Sequence, residues 1–557
     1  MKKLLLLFIS ALFITACSDK FLDTENKNSL DVGSFFKTEN DLLLATNAAY
    51  TPFAHGGMFG NFYQLRMNQL DPYIWFENPK SGFDQMIINT SDFSSTWSTL
   101  YLGLFRTSDI LANINRLKDV VNAPKLAEYE GQVKALRGMY YFYLVTWFNA
   151  PIYYDETNVP FNPLVGLANG TPEQFWNKLE EDLTFAAENL PDSWPAIELG
   201  RLTKGTANAA LGKALLYKHY QYYLRFGKGG TPEATANIAK AKAAFKRVKD
   251  SNVYELMKPL AQTKEDYQAA LLSNYSYLPV PPMNAAGVIT STSTYPAENN
   301  KESVWEIQYN DDNRAAAGWL PGWQWGGALN YAYLSPFGYR NLEIDPTLWY
   351  EYETVSAPVG YDRDPRAYAT CYLEGDLLDW RDTDPIRKIP FQSAQHAKSV
   401  VYNNKLYQGP VPSQAIGLKK YNYPQFVGKA SPNCDPYNIR VIRYADVLLM
   451  YAEACYQVDR DADGSGMAAL NEVRSRAGMP AIIDLTPAAI VHERAVELST
   501  EGHRYNDIVR WMWDPAFEMD LTKLFNGNFN KDKNYCFPIP QSDIDANKGA
   551  LKQNPGW

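Results

Sequence analysis

Hydrophobic residues recur at helical spacing in two stretches of the chain and lose that period between them. In the first stretch Phe175, Leu179, Leu183, Ala186 and Leu190 fall on one helix face. Thr171-Pro172-Glu173-Gln174 reads as the start, with Thr as cap, Pro in the first turn and Gln placed to close a capping box. Pro191 stops the run. Upstream, Val133, Leu136, Tyr140, Leu144 and Phe148 share a face. Downstream, Thr203 opens a helix carrying Ala207, Leu211, Ala214 and Leu215, and Thr231-Pro232-Glu233 repeats the start signal before Ile238, Ala241, Phe245 and Val248. In the second stretch Tyr444, Val447, Leu448, Tyr451 and Cys455 form one stripe, and Leu470, Val473 and Ala477 form the next. Ala489 to Trp513 predicts a third helix, with Gly502 as a candidate break. Residues 251–438 hold 17 of the 34 prolines and show one short alternating segment, Val304-Trp305-Glu306-Ile307-Gln308-Tyr309.

Helix starts near residues 126, 171, 203 and 231 loosely follow the roughly 34-residue period of a tetratricopeptide unit. Alternating small and large apolar residues suit close stacking of such helices. The expectation is a mostly α protein. A tetratricopeptide-like helical repeat scaffold, built from residues 17–250 and 439–557, carries a loop-rich, aromatic-rich inserted region at 251–438.

The chain begins with an export pattern: Lys2 and Lys3, then an apolar run from Leu4 to Phe13, then Ile14-Thr15-Ala16-Cys17. Small residues before a single cysteine resemble a lipobox. Residues 1–16 are expected to be removed and Cys17 to be acylated, which anchors the chain to a membrane. The remaining cysteines, Cys371, Cys434, Cys455 and Cys536, show no CxxC spacing, and no disulfide pairing is legible among them. Cys455 sits in a helical stripe as a small core residue.

Composition narrows the function. Against 62 Asp and Glu stand 53 Lys and Arg, a net charge of −9, which argues against nucleic-acid binding by phosphate neutralisation. Five histidines leave little room for His-based metal or acid–base chemistry. Aromatic residues make up 14% of the chain, and five of the 14 tryptophans (Trp305, Trp319, Trp323, Trp325 and Trp349) fall within 45 residues. Gly318, Gly322, Gly326 and Gly327 interrupt that segment, so a buried helix or strand is not expected there. Large rings on a glycine-rich loop either form a local core or meet a partner. The apolar C–H face of a sugar stacks on such rings while amides bind its hydroxyls. Trp319, Trp323, Gln324, Trp325, Tyr331 and Tyr333 are therefore candidate glycan contacts, together with Tyr73, Trp75 and Asn78 of a second aromatic segment.

Two other constellations carry possible chemistry. Glu493, Glu497 and Glu501 recur every four residues and place carboxylates on one helix face, a spacing that a glycoside hydrolase could use as an acid/base pair. Arg494, Arg504, Asp507 and Arg510 interleave with them, so a structural ion-pair network is the favoured expectation, because a neutralised carboxylate is a poor general acid. His492-Glu493 starts like a zinc-protease motif, but Val496 occupies the second histidine position. Asp459, Asp461 and Asp463, followed by Gly464, match the opening of a calcium loop. Leu470 stands where the bidentate Glu belongs, so the expected role is a polar turn and the calcium reading is the weaker one. No metal, cofactor or catalytic residue is expected.

Several segments resemble a known family. Ile439-Arg440-Val441-Ile442-Arg443-Tyr444-Ala445-Asp446-Val447-Leu448-Leu449-Met450-Tyr451-Ala452-Glu453-Ala454 looks like a signature of SusD/RagB lipoproteins, as does Leu470-Asn471-Glu472-Val473-Arg474-Ser475-Arg476-Ala477-Gly478. So do Glu493-Arg494-Ala495-Val496-Glu497-Leu498, Glu501 to Trp511, Pro538-Ile539-Pro540 and Gln553-Asn554-Pro555-Gly556. The lipobox, Phe21-Leu22-Asp23 and Ala135-Leu136-Arg137 extend the match to the first half. The resemblance implies a SusD-like fold and a non-catalytic, lipid-anchored protein on the surface of the outer membrane, part of a polysaccharide-utilisation system. Such a protein captures oligo- or polysaccharide and delivers it to a SusC-like TonB-dependent transporter. A peptide-capturing RagB-like protein is the alternative, and a glycoside hydrolase a weaker one. The resemblance also implies that the ligand face is built from early loops and the middle region. Those loops vary within the family, so no binding residue transfers by motif.

Overall fold

The computed structural model describes residues 35–60, 62–76, 83–160, 166–276, 279–283, 289–309, 342–354, 360–373, 377–380, 387–390, 400–402, 405–407, 416–420 and 438–557. The expected leader 1–16, Cys17, Asn78 and the whole segment from Trp319 to Tyr333 lie outside the described residues.

The first half is helical: α1 (Glu39–Ala54), α2 (Phe62–Gln69), α3 (Ser94–Asn113), α4 (Ala123–Phe148), α5 (Pro172–Asn189), α6 (Lys204–Lys218) and α7 (Pro232–Asp250). The expected caps form. Thr171 and Gln174 close a capping box at α5, and the Thr231 side chain accepts from Ala234 N–H at α7. From α3 to α7 each helix packs on the next. Small residues set how closely they approach: a Cβ on Gly103 of α3 would lie 2.2 Å from the Tyr140 ring of α4, and one on Gly138 would lie 2.8 Å from Leu183 of α5.

The middle stretch contains α8 (Lys264–Leu272), α9 (Pro346–Glu351) and α10 (Pro365–Thr370). Its strands are β1 (Ile74–Phe76, from the first half), β2 (Ser303–Ile307), β3 (Leu342–Ile344), β4 (Cys371–Tyr372), β5 (Leu377–Trp380), β6 (Arg387–Pro390), β7 (Val400–Tyr402), β8 (Lys405–Tyr407) and β9 (Gly417–Leu418), followed by β10 (Ile439–Arg443). They pair only as two-stranded antiparallel ladders, β1–β3, β2–β10, β4–β9, β5–β6 and β7–β8. One strand was legible from the sequence; strands of two to five residues are too short for a period to show reliably. The chain then returns to helices: α11 (Tyr444–Asp459), α12 (Ser465–Arg476), α13 (Pro487–Glu497) and α14 (Arg504–Trp511). The expected single helix from Ala489 to Trp513 breaks at Thr500 and Gly502, which take φ of +67° and +79°. A Cβ on Gly502 would also meet Tyr63 at 2.8 Å.

Helix α11 packs against α7, so the C-terminal helices continue the array that the first half begins. One hydrophobic core runs through both, from Phe36 to Leu551, and includes Trp97, Trp176 and Trp511. Residues from the middle build a second cluster around Ile344, Leu348, Trp349 and Tyr352. The middle is not a free appendage. β2 pairs with β10, matching Ile307 with Ile439, and puts Trp305 into the main core, where it meets Phe53 edge-on at 5.3 Å. No helix among the described residues is long and apolar enough to cross a membrane.

Candidate functional site

The early aromatic segment meets the middle stretch at residues 342–344, while the second expected segment, Gly318 to Tyr333, lies outside the described residues. Asp71 accepts the N–H of Tyr73 at 2.9 Å and turns the chain into β1. β1 then pairs with β3, matching Ile74 with Ile344, Trp75 with Glu343 and Phe76 with Leu342. The Tyr73 carbonyl accepts from Asp345 N–H at 2.8 Å, and the Asp345 side chain caps α9 through Thr347 N–H at 2.8 Å. Ile416 adds a bridge on the far side of Ile344. The early aromatic segment is thus stitched to the middle stretch immediately after the point where residues 310–341 rejoin the described chain.

Tyr73, one of the candidate contacts, is packed inward. Its side chain is 8% exposed and belongs to the second core cluster, and the Arg504 guanidinium lies 5.1 Å above its ring. Its position before β1 puts it inside the turn rather than on an outer face. Trp349 is likewise buried, between Arg363 at 5.1 Å and the edge of Tyr368 at 5.5 Å. Trp305 is core, with its Nε1–H donating to Gly200 O at 3.0 Å. Trp305 therefore belongs to the main core and Trp349 to the second cluster; Trp319, Trp323 and Trp325 fall outside the described residues.

Burial pushes the Asp71 carboxyl up to about 6, against the opposing pull of the Tyr73 N–H and Arg504. His492 sits between Glu353 at 3.1 Å and Glu351 at 3.8 Å. Burial lowers its affinity for a proton, but the two carboxylates outweigh burial and raise it to about 9, so the imidazole is a cation at neutral pH.

Glu493 and Glu497 of α13, and Glu501 in the turn beyond it, do not face a cleft. Glu493, Glu497 and Glu501 are 0%, 3% and 6% exposed. Glu493 receives Arg366 at 2.5 Å and Arg474 at 2.9 Å. Glu497 receives Arg443 at 2.7 Å, Arg366 at 3.1 Å and also Arg476. Glu501 receives Lys420 at 3.0 Å, Arg443 at 2.9 Å and the Tyr275 hydroxyl at 2.8 Å. Glu302, next to β2, joins Arg443 at 2.5 Å and Arg476 at 3.2 Å. Burial alone would raise the Glu497 carboxyl; Arg476, Arg443 and Arg366 reverse that and hold it well below the usual range, and Glu501 is held at about 2. Carboxylates ionised this firmly have no proton to give to a leaving group. The expected network is therefore present, with different partners. Of the interleaved arginines, Arg494 and Arg510 pair instead with Asp507, Asp446 and Glu453.

The partners Arg366, Lys420, Arg443, Arg474 and Arg476 come from elsewhere in the chain. Three of them, Arg443, Arg474 and Arg476, stand in the segments that carry the family resemblance. Those segments converge on one buried ionic cluster, so they mark the scaffold rather than a ligand site.

The three aspartates of the calcium-like loop are spent on the backbone and a lysine. Asp461 accepts the N–H of Gly466 and of Met467, both at 2.7 Å, and so caps α12. Asp459 accepts from Ala462 N–H at 3.3 Å, while Asp463 accepts from Ser465 N–H at 3.0 Å and pairs with Lys242 at 3.3 Å. These contacts make the loop a polar turn.

Comparison with known proteins agrees with this architecture. Residues 294–557 match the SusD family, and residues 20–216 match a family described as starch-binding, associating with the outer membrane. A SusD-like protein of Bacteroides ovatus is 21% identical over 523 residues, covering 91% of this chain and 82% of that one. Among solved structures, a SusD homologue from Bacteroides thetaiotaomicron superposes with a TM-score of 0.68 at 20% identity, covering 94% of this chain and 98% of its own. Surface glycan-binding protein A of the same species, in complex with laminarihexaose, gives 0.64 at 20% identity, covering 93% and 99%. With both halves matched in order and the motif residues meeting in a single buried cluster, the chain belongs to the SusD/RagB family.

Proposed function

We propose that this protein is a non-catalytic glycan-binding lipoprotein of the outer-membrane surface, tethered through Cys17, which captures oligo- or polysaccharide and passes it to a SusC-like TonB-dependent transporter. The observation that supports the reading is the β1–β3 ladder, which brings Ile74–Phe76 against Leu342–Ile344, a few residues along the chain from the aromatic, glycine-rich stretch. The relative solved with laminarihexaose, named as a surface glycan-binding protein, supports a carbohydrate ligand. Trp75, Trp319, Trp323, Trp325, Tyr331 and Tyr333 stack on the C–H faces of the sugar rings, and Asn78 and Gln324 hydrogen-bond their hydroxyls. The buried, arginine-neutralised glutamates of α13 take no part in bond breaking.

Affinity electrophoresis through gels containing a panel of polysaccharides tests the reading. One glycan retards the wild-type chain, and Trp323→Ala and Trp325→Ala restore free mobility while the helical circular dichroism is unchanged. Unaltered retardation in both variants removes that stretch from the site. Retention by oligopeptides in place of oligosaccharides in titration calorimetry, or new reducing ends on incubation, replaces the glycan-capture reading outright.

A further inference from the structure

Tyr73 holds both ends of a short helix. Its carbonyl accepts the Asp345 N–H at 2.8 Å, just ahead of α9, and its hydroxyl donates to the Glu351 carboxylate in the last turn of that six-residue helix. Ring and helix share one core, in which Tyr73, Ile344, Leu348 and Trp349 pack with Ala495 and Val496 of α13. Tyr73 is also the residue from which the chain enters β1, and β1 has β3 as its one strand partner among the described residues. Where Tyr73 sits therefore fixes where β1 begins.

Glu351 is held in turn from α13. His492 Nδ1 lies 3.8 Å from Glu351 and its Nε2 lies 3.1 Å from Glu353. Glu353 also receives Arg474 of α12 at 2.7 Å, and Arg474 reaches Glu493 at 2.9 Å. The charged groups facing the imidazole are thus Glu351 and Glu353 from the α9 side and Glu493 from its own helix. Arg474 stands behind Glu353, and Arg504 of α14 stands behind Glu351 and donates to the Tyr73 hydroxyl at 3.5 Å. Two carboxylates converge on one ring. A protonated imidazole offers each an N–H and a charge; a neutral one has a single N–H and turns a lone pair towards the other carboxylate. The side chains of His492, Glu351 and Glu353 are 26%, 25% and 33% exposed, so protons from bulk water reach them.

We propose that Tyr73, Glu351 and His492 are positioning residues for the ligand face: protonated His492 fixes Glu351, Glu351 fixes the Tyr73 ring, and Tyr73 fixes the entry of β1, so that the set of this strand follows the charge of one imidazole. The inference rests on the glycan-capture reading for its ligand, though not for its effect on β1. None of the three side chains touches the sugar. The proton affinity of His492 is raised from 6.5 to about 9, so the hold is complete below about pH 6.5 and is lost progressively as pH rises to about 9. Glu351 and Glu353 then repel across a neutral ring, β1 loosens, and glycan retention weakens with it.

Hydrogen exchange of the full chain, read by mass spectrometry, tests the effect on β1 without ligand. After correction for the intrinsic rate, the amides of residues 73–76 in wild type lose protection between about pH 6.5 and 9, while those of α4 do not. In His492→Gln they exchange roughly tenfold faster at pH 6.5 and lose nothing more on the way to pH 9. In Glu351→Gln the loss is complete at a lower pH than in wild type, because one of the charges that hold the proton is gone. Circular dichroism is unchanged in both variants. Affinity electrophoresis over the same pH range reads the ligand: glycan retention by wild type falls across the interval, and that by His492→Gln is low and flat. An exchange profile that is the same in wild type and His492→Gln overturns the proposal, as does one that Glu351→Gln leaves in place or moves upward. So does glycan retention that holds to pH 9 while β1 loosens. A wild type that retains no glycan at any pH refutes the capture reading instead, and exchange alone then decides the positioning of β1.

Discussion

Glutamine in place of Glu497 keeps the shape of the side chain and removes one charge from the centre of the buried cluster. Three guanidiniums, Arg366, Arg443 and Arg476, converge on this carboxylate. After Glu497→Gln they remain in the interior short of one counter-charge, and the new amide N–H₂ points a donor at donors. Removing one partner of a buried ion pair costs about 3–5 kcal/mol, and this position sits at the upper end because it serves three cations. At roughly 2 cal/mol/K per residue, a 557-residue chain unfolds with an entropy of about 1.2 kcal/mol/K, so Tm falls by about 3–4 °C. Scanning calorimetry reads the shift directly. The loss is also pH-dependent. Glu497 ionises in the folded chain well below its ordinary value of 4.5, so its contribution is complete above that pH and drains away as pH falls below it. The gap between wild type and variant therefore narrows in acid. Glycan retardation per folded molecule stays at the wild-type level. A variant that melts within 1 °C of wild type but no longer retains glycan would refute the structural role and return this carboxylate to the ligand site.

Two further outcomes follow from the geometry. Asp461→Ala removes the acceptor for two N–H groups at the start of α12 and lowers stability by about 1–2 kcal/mol in denaturant titration, while millimolar calcium leaves the wild-type Tm unmoved; a calcium-dependent rise contradicts the capping role. Burial raises the Glu298 carboxyl to about 8 against the help of Asn438 N–H, so wild-type stability falls as pH rises from about 4.5 to 8. Glu298→Gln is accordingly more stable than wild type at pH 9, by about 1–2 kcal/mol once partial solvent screening is allowed for, and no more stable at pH 4; equal stability at both pH values refutes it.

The features legible in the sequence are those written within a few residues of one another. Thr171 with Gln174, and Thr231 with Pro232, declare helix starts because a cap bonds three residues ahead. The stripes of α5, α7 and α11 declare buried faces because a helix repeats every 3.6 residues. The chemical character of α13 was also readable: alternating glutamates and arginines announce ion pairs. Which ions pair was not. Arg366 reaches Glu493 across 127 residues and Arg443 reaches Glu302 across 141, and no local pattern encodes those distances. Tyr73 reads as an exposed ring because its neighbours are aromatic and polar; only the packing of Arg504 over it shows that it is buried.

By itself, then, the order of residues determined the helical elements, their caps, the family motifs and the presence of two aromatic segments far apart in the chain. Tertiary structure decided that α11 docks on α7, that the motif arginines and glutamates close into one buried cluster, and that β1 lies against β3. It also decided that Asp461, after α11, holds the start of α12. The physical reason is that caps and periodicity are satisfied by backbone geometry within one or two turns. Burial and charge pairing depend on which distant surfaces exclude water together, and that is settled only when the whole chain has packed.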